Sequence, residues 1–536
     1  MLGLELVVIL GIVILLSSLA GRRLGIVPPV FMLLAGGVLG FVPALREVTL
    51  PPETVLLIFL PALLYWESLT TSLRQIRRTL RGIVLLSTLL VVASAAAVAA
   101  LTHALGLPWG PAWVLGAAIA PTDATAVAAL GRLLPRPTLI VLQAESLVND
   151  GTALVLYGVA VSVTVGEAHV SAANISWLFI RSYLGGVAVG ALIAWVAAEV
   201  RRRLTDPLME NIAVILIPFT AFLLAQEIKA SGVLAVVTCG LIMSQVGPRV
   251  GGAAERLQTQ AAWPLATYVL NGALFVLVGI TFQSAIRGLT SFDLARASLT
   301  VVLVCVVLIV VRTTFQFVSV FLIRALDRRP SQLARRVSHR YRILGGMAGF
   351  RGAVSLAAVL AVPHTLDNGQ PFPDRDVIIF VTVGVIGLLM LQAFAIPPIV
   401  RWTGAPEDTI VETERRLANV TATEEALVAL PKLAAELGTD EMVSNLLRRE
   451  YTKHLRLLQT ETNAEDDLDD DAAGERSALR RFHAQYNELR LALLGTKRST
   501  VIRLRDERRI DDAVLRQIQA RLDIEEVRLT QEGLVE

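Results

Sequence analysis

Glu145-Ser146-Leu147-Val148-Asn149-Asp150 sets two carboxylates, a hydroxyl and an amide inside an apolar run extending from Thr138 to about Val163. Ionisable groups at membrane depth cost roughly 2.5 to 3.5 kcal/mol each on insertion scales, so they face an internal cavity and serve a purpose there. The run is long enough to cross a bilayer as a helix. Read that way, the stretch makes the chain an all-α membrane protein whose interior handles charge, and points to a path for cations.

Composition agrees. A chain of 536 residues that is 54% hydrophobic and only 18% charged, with a mean hydropathy of +0.62, would expose too much apolar surface as a water-soluble protein. Runs of about 20 mostly apolar residues recur about thirteen times. They cover roughly 2–20, 24–42, 53–71, 82–104, 110–130, 138–163, 176–199, 209–228, 231–246, 262–284, 294–323, 342–362 and 377–402. The first run has no basic residues before it and no clear small-residue cleavage site, so it reads as a span rather than a removable signal. Arginines gather in alternate loops: Arg22 and Arg23, Arg74 to Arg81, Arg132 and Arg136, Arg201 to Arg203, Arg249 and Arg256, then Arg324 to Arg340. The other loops are nearly bare. Because basic residues are retained inside, the N-terminus is expected outside and the C-terminus in the cytoplasm of a multi-pass cell-membrane protein. The net charge of +3 expresses this loop bias and gives no reason to expect nucleic-acid binding.

After about Gly404 the composition turns to Glu, Arg, Leu and Asp, which divides the chain into a transmembrane domain, 1–403, and a helical cytoplasmic tail, 404–536. Helical periodicity covers Glu412 to Leu437, Glu441 to Thr460, Gly474 to Leu494 and Ile502 to Leu529. The acidic run Glu465 to Asp471 reads as a solvated linker, since it lacks the Gly and terminal Glu of a calcium loop. The tail's expected role is regulation or oligomerisation. Cys239 and Cys305 lie in apolar spans, where small-hydrophobe packing is the simplest role.

Two spans are interrupted. In Ala120-Pro121-Thr122-Asp123-Ala124-Thr125 the proline removes a backbone donor and clashes with the preceding turn. In Gly345-Gly346-Met347-Ala348-Gly349-Phe350-Arg351-Gly352 four glycines surround one arginine, and each weakens a helix by roughly 1 kcal/mol relative to alanine. Unwound backbone at membrane depth is tolerated only where it is enclosed by protein or lines a cavity. If spans one to six mirror spans eight to thirteen, the interrupted spans correspond, which predicts inverted repeats with two broken helices crossing at a midplane binding site.

ESLVNDG at Glu145 to Gly151, the preceding PTDA, SGVLAVVTCGL at Ser231 to Leu241 and FRGAVSLA at Phe350 to Ala357 together resemble the sodium/proton exchangers of the monovalent cation:proton antiporter-1 class, particularly bacterial members. The likeness covers roughly residues 1–402. It implies alternating-access exchange of Na⁺, or of Li⁺ or K⁺, for H⁺, a homodimer in membrane lipid, and no cofactor. It assigns Asp150 the cation and the proton in alternation. Desolvation favours a protonated acid and a bound cation favours the ionised one, so competition for one group couples the two fluxes. Asn149 stands where electrogenic relatives carry a second aspartate, which implies an electroneutral, one-for-one cycle serving pH and sodium homeostasis. Asp123, Thr122 and Ser146 would add oxygen ligands suited to a hard cation. Glu67 matches a region where relatives carry a pore-lining acid, and Glu145 and Arg351 look like a core-stabilising pair. The chain departs from the family pattern at Ala124, where Asp-Pro is common, and at Ala62, where a second proline is common.

Each residue has a plainer reading: Asp123 as a cap on a broken helix, Glu67 as a solvated acid near the cytoplasmic end, Arg181 and Arg312 as helix-end side chains bonding carbonyls, Gly36-Gly37 as close helix packing. Three other functions stay open. A K⁺/H⁺ antiporter would share this architecture, and a membrane signalling receptor would use the tail as its output. A cation channel would need similar acids, yet no selectivity-filter repeat occurs. Catalysis by a metal is disfavoured, because His103, His169, His339 and His364 lie near span ends or in loops and no HExxH occurs.

Overall fold

The computed structural model describes residues 2–24, 27–43, 51–71, 73–123, 136–166, 172–326, 339–347, 349–403, 410–460 and 474–532. Among these, helices account for nearly everything, apart from turns and one isolated bridge between Thr365 and Pro371. In chain order they are α1 (Leu2–Leu24), α2 (Pro28–Leu39), α3 (Pro52–Thr70), α4 (Leu73–Ala104), α5 (Trp109–Ile119), α6 (Arg136–Val165) and α7 (Ala172–Arg203). Then come α8 (Pro207–Glu227), α9 (Gly232–Val250), α10 (Ala253–Gly288), α11 (Ser291–Leu326), α12 (His339–Met347), α13 (Ala353–Leu360), α14 (Arg375–Leu391) and α15 (Ile396–Thr403). The tail adds α16 (Ile410–Glu436), α17 (Glu441–Thr460), α18 (Gly474–Asp506) and α19 (Asp512–Glu532).

Eight of the described helices are long and apolar enough to cross a membrane, and Pro28–Leu39, Thr54–Thr70 and Trp109–Ile119 are apolar but shorter. The surface is inverted relative to a water-soluble protein: Leu15, Leu184, Trp195 and Val310 are all exposed, as suits side chains that meet lipid. Several helices outrun their apolar spans. α10 starts at Ala253 and not near 262, and α11 ends at Leu326, because charged ends can continue a helix into the interfacial layer while long side chains reach water.

Helix starts follow local chemistry. Asp206 precedes Pro207, whose missing N–H is no loss at the first position, and accepts from the Leu208 amide at 2.9 Å. Ser231 opens α9 by accepting from the Leu234 amide at 3.2 Å. Both breaks fall where the sequence places them: α5 stops at Ile119, and Gly349 to Gly352 are non-helical between α12 and α13. They meet, because the Asp123 amide donates to the Phe350 carbonyl at 2.8 Å. Residues 124–135, including Ala124 and Thr125, lie outside the described set.

Packing sorts the membrane helices into two bundles. One gathers α4, α5 and α6 with α11, α12, α13 and α14; the other gathers α1, α2 and α3 with α7 to α10. Each half of the chain thus sends its first three helices to one bundle and its last ones to the other, with α7 as the link, which is the arrangement an inverted repeat produces. Glycines allow the closest approach. A Cβ on Gly36 of α2 would lie 2.9 Å from Val276 Cα of α10, so Gly36 serves helix packing.

The tail helices enclose cores of their own, around Leu504, Val514, Leu515 and Ile518 and around Leu430, Val443, Leu447 and Leu489. One expectation is corrected here. The third tail helix does not end near Leu494 but continues through Gly495 to Asp506, since Leu494, Val501 and Leu504 extend one apolar face across the glycine. It stops where Arg508 adopts a left-handed φ of 65° and the Arg509 amide returns to the Leu504 carbonyl at 2.9 Å. The acidic run Glu465 to Asp471 falls outside the described residues.

Candidate ion-binding site

The site lies where the bundles meet, at contacts of α6 with α3 and α9 and of α13 with α3 and α10. Along α6, Glu145, Ser146, Asn149 and Asp150 fall at relative positions 0, 1, 4 and 5, which places them on one helical face. All four are buried. The broken end of α5 brings buried Thr122 and half-buried Asp123 to the same place. Asn149 Nδ2 donates to Thr122 Oγ1 at 3.1 Å and to Glu145 Oε1 at 3.4 Å. Its other end, Oδ1, is buried with no partner among the described residues. Ser146 Oγ donates to Glu67 Oε1 of α3 at 3.3 Å.

Asp150 is 3% exposed, yet its carboxylate takes no hydrogen bond or ion pair from any described residue. Glu67 and Asp123 are within its electrostatic range. The structure therefore brings Asp150, Asp123, Asn149, Thr122, Ser146 and Glu67 together as one polar cluster, rich in oxygen. Among the described residues no three His, Cys, Asp or Glu side chains converge tightly enough to hold a metal centre. Carboxylate oxygens of Asp150, Asp123 and Glu67, with the hydroxyls of Thr122 and Ser146 and the Asn149 amide oxygen, are hard donors that suit a singly charged hard cation as cargo.

The second broken helix closes the pocket. Gly352 faces Asp123 so closely that a Cβ there would lie 2.8 Å from Asp123 Cβ. The pairing expected of Glu145 and Arg351 is corrected: Glu145 Oε1 is held instead by Arg312 Nη1 of α11 at 2.6 Å. Arg312 Nε also donates to the Gly345 carbonyl at 3.0 Å. Arg351 donates through Nε to the Ile119 carbonyl at 3.0 Å and through Nη1 to the Gly349 carbonyl at 2.5 Å. The reason is local. Where two helices stop, carbonyls are left without intrahelical donors, and an arginine inside the break satisfies them. Glu145, further along α6, is then neutralised from another helix. A lone arginine in an apolar span is as costly as a lone acid, which is the signal in the sequence for Arg312 as a partner rather than a helix-end residue. Arg181 does bond a carbonyl, that of Lys229 at 3.3 Å.

The Glu67 backbone is held at the end of α3. The amide and hydroxyl of Thr71 donate to the Glu67 carbonyl, the latter at 2.6 Å. Trp66 stacks on Trp263 of α10, ring centroids 6.2 Å apart, and Tyr65 packs on the same ring at 5.6 Å. No sequence signal marked Trp263 as the partner.

Two crossed broken helices over an enclosed acid, between two bundles built from repeated halves, define a secondary active transporter. Residues 8–402 match the family model for the transmembrane part of sodium/hydrogen exchangers, and the chain belongs to that family as a cation/proton antiporter. It is 42% identical to an uncharacterized Na⁺/H⁺ exchanger of Mycobacterium tuberculosis over 98% of this chain and 96% of the relative. It is 29% identical to a sodium, potassium, lithium and rubidium/H⁺ antiporter of Bacillus pumilus, across 72% of this chain and 59% of that one. The fold is similar to the sodium proton antiporter of Methanocaldococcus jannaschii, with TM-score 0.55, 18% identity and coverage of 75% of this chain and 99% of the other.

Proposed function

We propose that the chain exchanges Na⁺ for H⁺ one for one, with Asp150 binding the two in turn. The observation that carries this is Asp150 itself: a buried carboxylate with no bonded partner among the described residues, beside an unsatisfied Asn149 oxygen. A buried acid without a donor must be neutralised, and a proton or a cation does this equally well. Thr122, Ser146, Asp123 and Glu67 supply further oxygens, and in this reading Asp150, beside neutral Asn149, is the group whose charge the cycle cancels in turn by proton and cation. Glu145 with Arg312 is scaffold. Motion of one bundle against the other exposes the pocket to each side in turn, in a homodimer of the cell membrane with the N-terminus outside and the tail cytoplasmic. No cofactor takes part.

Sodium leads because the family is one of sodium/hydrogen exchangers; the Bacillus pumilus relative, named for potassium, lithium and rubidium as well, makes K⁺/H⁺ exchange the second reading. The test is dequenching of a pH-sensitive dye in vesicles after Na⁺, Li⁺ or K⁺ is added. Wild type should respond, most strongly to Na⁺ and without a change in membrane potential, and Asp150→Asn should not. A wild type silent to all three ions, or an Asp150→Asn variant that still exchanges, overturns the reading.

A further inference from the structure

The last described tail helix touches the end of the helix that carries Glu67. α19 lies against the end of α3 and the start of α10. Arg516 donates through Nη1 to the Leu69 carbonyl at 3.4 Å and through Nη2 to the Thr70 carbonyl at 2.5 Å. These are among the last carbonyls of α3, which have no donor within their own helix, and a cation at that end also opposes the helix dipole. Glu67 lies on the same final turn.

A second tie leads to the same acid by another route. Arg256, near the start of α10, grips Asp523 of α19 with Nε to Oδ2 at 2.9 Å and Nη2 to Oδ1 at 2.8 Å. Arg498 of α18 adds a third bond to Asp523 at 2.9 Å, and Asp523 is 0% exposed. Trp263 lies seven residues beyond Arg256, two helical turns along α10, and its ring carries Tyr65 and Trp66. Arg505 bonds the Gln245 carbonyl at 3.3 Å and Arg249 pairs with Asp506, so the end of α9 is tied down as well. Glu67 is thus held from its carbonyl end and from its preceding aromatic residues, and one tail helix anchors both.

We propose that α19 is a positioning element of the ion pocket: Arg516, supported by the Arg256–Asp523 pair, sets where Glu67 stands relative to Ser146 and so sets the affinity for the transported cation. This rests on Glu67 lining the pocket. Initial rates against Na⁺ concentration, in vesicles holding the full chain, test it with wild type, Arg516→Ala, Arg516→Lys, Glu67→Gln and the double variant Glu67→Gln/Arg516→Ala. Arg516→Ala should raise the apparent KM about threefold or more while the maximal rate stays within about twofold. Arg516→Lys, which keeps a cationic donor, should recover most of the shift, and in the Glu67→Gln background the alanine should add nothing. Amide exchange across Glu67 to Thr71 should quicken about tenfold in Arg516→Ala.

An active wild type with an unchanged KM in Arg516→Ala overturns the proposal and leaves the exchange reading intact. So does an equal shift in the Glu67→Gln background, which would place the effect elsewhere. A wild type that moves no cation overturns the exchange reading, and unchanged amide exchange in the Glu67 turn would then refute the tail's hold on it separately.

Discussion

Asp150 and Asp523 are the same residue at nearly the same burial, 3% and 0% exposed, and their surroundings differ in kind. Asp523, where the tail meets the membrane domain, takes three guanidinium hydrogen bonds from Arg256 and Arg498. Asp150, where the two bundles meet, takes none among the described residues. A fold that buries a carboxylate must compensate its lost hydration, and at Asp523 that compensation is permanent and made of protein. At Asp150 no described residue supplies it, and in the proposed cycle a proton or a cation would. The paired acid belongs to the architecture, and the unpaired one is the acid proposed to serve transport.

The hardest blow to this contrast is Asp150→Asn. Exchange should fall by about a thousandfold or more, equivalent to about 4 kcal/mol on the rate, while the thermal midpoint in detergent holds or rises because an uncompensated charge has gone. A variant that lost both flux and stability together would mean that Asp150 is structural like Asp523. Next comes Arg312→Ala. Glu145 would be left buried with its ion pair gone, a change worth about 3–5 kcal/mol in comparable pairs, read as a lowered midpoint. Glu145→Gln/Arg312→Met should recover most of the loss, because it removes both charges together. An Arg312→Ala protein as stable as wild type would show that Glu145, like Asp150, tolerates having no partner.

These contrasts also show what the sequence could disclose. Asp150, Asn149 and both breaks were legible because each violates a local rule, a charge at membrane depth or a proline and glycines within an apolar span, and a violated rule leaves its mark at the residue itself. The inverted repeat followed from the symmetry of those breaks, and which helices gather in which bundle became visible only in their packing. Partnership was not legible. Glu145 has two arginines to choose from, Arg312 and Arg351, and nothing in their spacing tells that Arg351 is occupied by the Ile119 and Gly349 carbonyls. The continuation of α18 past Gly495 was hidden for a similar reason: glycine carries a helix penalty of about 1 kcal/mol, and the apolar face of Val501 and Leu504 that outweighs it is visible only once it packs. Arg256 and Asp523 are 267 residues apart, a pairing that no periodicity encodes.

A milder test moves a neighbour rather than the acid. Gly352→Ala would push a methyl against Asp123, whose Cβ it would meet at 2.8 Å. Because the Asp123 amide is bonded to the Phe350 carbonyl, the carboxylate has little room to yield, and transport should fall about tenfold, about 1.4 kcal/mol, with the Asp150-dependent coupling of the two ions intact. Unaltered rates would mean that Asp123 can shift without consequence and acts as a cap for the broken helix rather than as a ligand.

The smallest effect is expected at a third kind of buried charge. Lys497 of α18 is 9% exposed and places its ammonium over the Tyr451 ring, 4.3 Å from the centroid. No carboxylate among the described residues lies within ion-pair distance of it. Burial pushes its pKa below the ordinary 10.5, against the opposing pull of Glu525. The sign follows directly: between the depressed folded value and 10.5 the unfolded chain binds more protons, so this group's contribution to stability rises with pH through that window. Lys497→Met loses a cation–π contact worth about 0.5 to 2 kcal/mol and is relieved of a buried charge, so the two changes nearly cancel and stability near neutrality should move by less than about 1 kcal/mol. Any advantage of the methionine variant should shrink as pH rises, which thermal unfolding of the full chain across that window would read. A loss as large as that expected for Arg312→Ala would show that an aromatic face holds a buried charge as firmly as a carboxylate does, and the division between paired and unpaired charge would then have to be drawn by the field at the site rather than by counting bonds.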